Sequence, residues 1–174
     1  MKKAENTESS NLKGLEMDYS TLRGEISKRI ELRQQINSFS LTLTGIFLGV
    51  SLSNDSVGTV AFAYPPLAAM LALGWMQNDL RIGELGYYIR KHIEPHIPGL
   101  NWETFLNKKR QGPQKDNFRF LVLSHGGIFL ITQLLAIGAG LFNFKKSPVE
   151  WTFLSIDILS IIVVLWVISK IWKR

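Results

Sequence analysis

The chain has 174 residues, about the length of one domain, and its 20 Lys and Arg against 14 Asp and Glu give a formal net charge of +6. It contains no cysteine, which excludes disulfide frameworks and thiolate metal centres and leaves the redox compartment unreadable. A mean hydropathy of +0.09 would suit a soluble protein, but the average conceals four apolar blocks with the charges gathered between them.

Met1-Lys2-Lys3 opens like a signal peptide, yet no apolar run follows it, so insertion through internal spans without cleavage is expected. Residues Met1–Tyr19 mix charge with Ser, Asn, Thr and Gly without periodicity and read as a mobile tail. Ser20 is a good N-cap residue, and Leu22, Ile26 and Ile30 follow at helical spacing. Glu25, Arg29 and Arg33 share another face with i,i+4 pairing. This helix enters the first span without a breaker. It is either a lever into the bilayer or a juxtamembrane helix held on anionic lipid.

The four blocks Ile36–Ser53, Val57–Met76, Phe120–Phe142 and Trp151–Ile168 are candidate spans, since a bilayer crossing needs about 20 mostly apolar residues. In the first, Ser38, Thr42, Gly45, Gly49 and Ser53 fall on one helical face, and GIFLG is a small-xxx-small motif that lets another helix approach closely. The face is a packing surface or a hydroxyl-lined pore wall. Spacing alone does not choose. In the second span Pro65-Pro66 displaces the carbonyls of Ala61 and Phe62, predicting a kink or a late helix start, and Trp75 sits where an interfacial anchor belongs.

The polar middle, Gln77–Asn117, begins as a helix with the apolar stripe Leu80, Leu85, Ile89 and Ile93, and stops at Pro95. His92 and His96 have the i,i+4 spacing of a metal pair, but Pro95 breaks that geometry and no third ligand is evident, so no metal and no cofactor are expected. Asn101 is placed to cap a short helix in which Trp102, Phe105 and Leu106 share a face ahead of Lys108, Lys109 and Arg110, a composition suited to a lipid interface. Gln111–Gln114 is a linker. Arg81, Arg90, Lys91, Lys108, Lys109 and Arg110, interleaved with Tyr87, Tyr88, Trp102 and Phe105, form a candidate anion-binding face for a nucleotide or a single-stranded oligonucleotide. The same residues also serve as topology determinants and lipid headgroup contacts.

Two polar residues lie deep in the last spans. At about 1.5 Å per residue, Gln133 and Asp157 come to matching depth, roughly 20 Å from the cytoplasmic boundary. They form a candidate intramembrane pair: either a cation site or protonatable gate, or a carboxyl accepting a hydrogen bond from the Gln133 amide. Catalytic patterns are missing: there is no Gly-x-Ser elbow, no HExxH and no phosphate-cradling glycine loop. Ser124 and His125, as helix neighbours, project about 100° apart and are not expected to form a nucleophile–base pair. Enzymatic activity is not expected.

Seven Lys and Arg precede the first span, eight lie between Arg81 and Arg119, three follow Ser169, and only Lys145 and Lys146 fall on the other side. By the positive-inside rule both termini and the middle are cytoplasmic. The expected fold is therefore all-α: a polytopic membrane protein of four helices in two hairpins. Its parts are a tail (1–19), a helix with the first hairpin (20–76), a cytoplasmic helical connector (77–118) and a second hairpin with a short basic tail (119–174). From the RGEISKRIELRQQ helix through LTLTGIFLGV to NWETFLNKKR, this layout resembles the small multi-span effectors of bacterial antiphage defence systems. The resemblance implies an oligomeric channel in the bacterial inner membrane, its cytoplasmic part controlled by a nucleotide or oligonucleotide. Two alternatives stand beside it: a non-conducting scaffold that recruits a cytoplasmic protein partner, and a component of an ion-coupled transporter.

Overall fold

The computed structural model describes residues 2–53, 58–112, 115–142 and 144–172, and their side chains outside 2–10, 58 and 115–123. The Asn54–Ser56 turn and residues 113–114 of the expected linker lie outside them. Six helices follow in order: α1 (Lys2–Ser53), α2 (Gly58–Ala61), α3 (Tyr64–Tyr88), α4 (Trp102–Gln111), α5 (Lys115–Phe142) and α6 (Pro148–Trp172), and no strand occurs among the described residues. The stretches Asn11–Ser53, Thr59–His96, Ser124–Phe142 and Pro148–Trp172 are each long and apolar enough to cross a membrane.

Two expectations about the N-terminal half are corrected. The helix expected to start at Ser20 starts at Lys2, and residues read as a tail are its first turns. Ser20 is not a cap: its hydroxyl donates to Met17 O at 2.8 Å, and Thr21 does the same at 2.9 Å, so both hydroxyls are satisfied by the helix they sit in. The missing apolar period did not prevent a helix, because Ala, Lys, Glu and Leu favour one at exposed positions without needing a buried stripe.

The chain divides into two compact units. Residues 1–32 and 78–118 form the first, and residues 33–77 and 119–174 the second. α1 and α3 each contribute to both, as does α5 with its first turn, 115–118.

The first unit has a small aliphatic core of Ile26, Leu85, Ile89 and Ile93, lined by Tyr19, Leu22, Ile82, Ile97 and Leu100. On α1 these positions recur at three and four residues, which is why one stripe suffices to hold it there. Glu25 pairs with Arg29 one turn on, at 2.8 Å. Pro95 has no amide hydrogen for the Lys91 carbonyl, and its ring clashes with that carbonyl. The backbone widens ahead of it into a π turn, Ile89–Ile93, where the Glu94 amide reaches Ile89 O, and then tightens into a 3-10 turn, Glu94–His96. Asn101 makes no side-chain cap for α4. Glu94 makes it instead, accepting from Glu103 N at 2.5 Å, Thr104 N at 3.0 Å and Thr104 Oγ1 at 2.6 Å. The turn forced by Pro95 carries this carboxylate to the helix start. Glu103 then takes Arg23 of α1 at 2.7 Å.

The second unit holds the apolar parts of α1 and α3 with α5 and α6. The late helix start expected from Pro65-Pro66 is present: α2 ends at Ala61, a turn follows, and α3 begins at Tyr64 with both prolines in its first turn, where a missing amide costs nothing. The Tyr64 hydroxyl ties three helices together. Ser40 Oγ lies 2.7 Å from it, and it donates to Thr132 Oγ1 at 2.9 Å, which in turn donates to Ile128 O at 2.8 Å. Since each hydroxyl has one proton, this order satisfies all three. Trp75 is corrected from interfacial anchor to packed residue: it is buried, with Arg33 over its ring at 5.1 Å and Phe129 at 6.3 Å.

Candidate functional site

α1 carries two polar faces about 140° apart at 100° per residue, and they have different fates. Asn37, Ser40, Thr44 and Ser51 are buried within the second unit. Ser38, Thr42, Gly45 and Gly49 are exposed, as is Ser53, and a methyl group added at Gly45 or Gly49 would meet nothing within 4 Å. The face singled out by spacing is thus not the one the chain uses for its own packing. Ser40 and Tyr64, which make the internal polar contact, were not legible from spacing. Their signal is weak, since Ser40–Thr44 is only one more i,i+4 hydroxyl pair.

The candidate anion-binding residues fall into three groups. Arg81 is engaged by acids, with Glu84 at 3.0 Å and Glu25 at 3.9 Å. Arg90 and Lys91 come together on the ring of Tyr87, at 5.4 and 5.6 Å, and Lys91 Nζ also donates to the Tyr87 hydroxyl at 3.2 Å. Such cation–ring contacts hold two positive charges beside one exposed aromatic. Lys108, Lys109 and Arg110 stand exposed in the last turn of α4, where cations complement the helix dipole. Trp102 and Phe105 are exposed on the same helix, their rings 6.0 Å apart. A shallow open groove of about 320 Å³ is lined by Leu22, Arg81, Glu84, Leu85 and Tyr88.

His92 stacks on Tyr88 at 5.0 Å, and both His92 and His96 are exposed. Among the described residues no group of three or more His, Asp or Glu is placed to hold a metal. Ser124 Oγ lies 3.2 Å from His125 Nδ1, a contact between neighbours that side-chain rotation allows despite the helix angle.

Of the two readings of Gln133 and Asp157, the direct hydrogen bond is not made. Gln133 gives its amide to Pro65 O at 2.9 Å, while its Oε1 and both Asp157 carboxylate oxygens have no hydrogen-bond partner. Both residues are fully buried. The carbonyl at the start of α3 takes the donor that the pair would have needed. No protein-family model, curated protein or solved structure matches this chain.

Proposed function

We propose that this chain is the subunit of a homo-oligomeric membrane channel in the bacterial inner membrane, gated from the cytoplasmic side and acting as an effector of antiphage defence. The observation that carries the reading is the free polar face of α1. A helix apolar enough to cross a bilayer exposes Ser38, Thr42, Gly45 and Gly49, with open space over both glycines. Facing lipid, hydroxyls gain nothing. Facing copies of itself, this face packs closely through its glycines and turns hydroxyls toward a water-filled axis.

The distribution of Lys and Arg supports a topology of two hairpins with both termini and the first unit cytoplasmic. Gating then falls to the first unit. Tyr87 with Arg90 and Lys91, and Trp102 and Phe105 with Lys108, Lys109 and Arg110, supply rings and cations of the kind that bind nucleotides or single-stranded oligonucleotides. The exposed Trp102 and Phe105 also favour a second reading, a non-conducting scaffold that captures a cytoplasmic protein.

Planar-bilayer recording separates the two. Unitary currents that change on adding a nucleotide or a DNA oligomer are expected for the channel. Silence under every such ligand, together with tight capture of a protein partner, overturns it in favour of the scaffold.

A further inference from the structure

Asp157 is the only charged residue of α6 between Glu150 and Lys170, and it lies fully inside the second unit with neither oxygen bonded. A carboxylate is a pure acceptor, and a buried one without donors or a counter-charge is strongly unfavourable. The Gln133 Oε1 atom is a third buried acceptor without a donor, and its direction is fixed because the other end of the amide is held by Pro65 O.

The depth of Asp157 follows from the contacts of α5 and α6. A methyl group at Gly126 would touch Ile168 at 3.0 Å, and beyond the opposite ends Phe144 meets Trp151 at 5.4 Å. Counting residues between these two points sets Asp157 level with Ile137–Gly138, roughly one turn, about 6 Å, from Gln133. α5 meets the α2–α3 break on both sides of that level, at Gln133 through Pro65 and at Gly140 through Phe62. Asp157 is therefore buried at the depth of the α2–α3 break, where Pro65 and Pro66 have no amide to offer the carbonyls of Ala61 and Phe62. Interrupted helices at mid-bilayer, with carbonyls at a half-helix end, are a recurrent way to hold small cations.

We propose that this level of the second unit binds one monovalent cation, a sodium ion or a proton, with Asp157 as its charge and Gln133 Oε1 as a neutral oxygen ligand. All available donors are hard oxygens, which suits an alkali ion. A single carboxylate matches one positive charge, whereas a divalent ion would leave a net charge in the bilayer. Among the described residues no other titratable group competes. Tyr64 on α3 is committed to Ser40 and Thr132, Glu150 bonds Ser147 N about 10 Å along α6, and Arg33, His125 and Lys170 lie toward the far ends of their helices. The inference rests on the membrane-embedded reading of these helices and not on conduction, so its test uses stability alone.

The experiment is thermal unfolding of the purified chain in lipid nanodiscs, with sodium chloride replacing choline chloride at constant ionic strength, at pH 5, 7 and 8.5. A ligand that binds the folded state raises the melting temperature, here by about 5 °C from 1 to 100 mM sodium. A rise with sodium that disappears in Asp157→Asn identifies sodium. Indifference to sodium with a rise on acidification, again lost in Asp157→Asn, identifies a proton. Gln133→Ala keeps the charge and shifts the half-maximal sodium or proton concentration about tenfold upward, which decides the matter if Asp157→Asn does not fold. A wild type indifferent to both ions, or an Asp157→Asn chain with the same response as wild type, overturns the site.

Discussion

At Glu94 one carboxylate carries the start of a helix. It is 6% exposed and accepts from two α4 amides and one hydroxyl, replacing the local cap that Asn101 does not provide. Removing it leaves those amides, one buried and one half-buried, without this acceptor, and each fully buried loss costs on the order of 1–3 kcal/mol. Glu94→Ala is therefore expected to destabilise the first unit by about 2–3 kcal/mol, lowering the melting temperature by roughly 5–10 °C. Trypsin should also cut faster at Lys108–Arg110. Unchanged melting and cleavage would show that α4 is held by its ion pair with Arg23 alone. The sequence made Pro95 readable as a stop, because a proline acts on its own neighbours. It did not make Glu94 readable as a cap, because its partners at 103 and 104 meet it only after the π turn and the 3-10 turn have folded back.

At the scale of elements, α5 shows how packing assigns different meanings to identical residues. A Cβ on Gly140 would lie 2.7 Å from the ring of Phe62, which is fully buried and cannot withdraw, whereas at Gly138 it would meet nothing within 4 Å. Alanine gains up to about 1 kcal/mol over glycine inside a helix, but forcing a methyl into a filled site costs about 1–3 kcal/mol. Gly140→Ala should accordingly lower the melting temperature by a few degrees in nanodiscs, and Gly138→Ala should leave it unchanged or raise it. Equal effects of the two would mean that Phe62 does not press on α5. Apolar blocks and the proline pair were legible because length and covalent geometry act locally. Which of two polar faces of α1 turns inward was not, since both carry hydroxyls at helical spacing and only Tyr64 and Thr132 decide between them. The hydrogen bond expected from Gln133 to Asp157 is not made for a related reason: depth counted from block ends carries an error of a turn, and one turn is enough to give the Gln133 amide a different partner.

At the scale of the whole molecule, α1 is the longest helix and, like α3, has residues in both units. Its 52 residues run from Lys2 to Ser53 as one helix, with one part in each unit. Its inward hydroxyls are spent on the chain's own packing, so an oligomer built through the membrane part of α1 has to use the outward set. The absence of cysteine allows a clean test. A cysteine at Thr42, beside the open space at Gly45, is expected to form an inter-chain disulfide when membranes are oxidised, because close helix approach brings like residues within the 4.4–6.8 Å Cα separation the bond requires. A cysteine at Thr44, which is buried and bonded to Ser40 O at 2.7 Å, should not. Cross-linked dimers on a denaturing gel for Thr42→Cys but not Thr44→Cys support assembly through the Ser38–Gly49 face. Equal cross-linking, or none at Thr42 at any oxidant level, removes that face from the assembly and with it the main support for a channel.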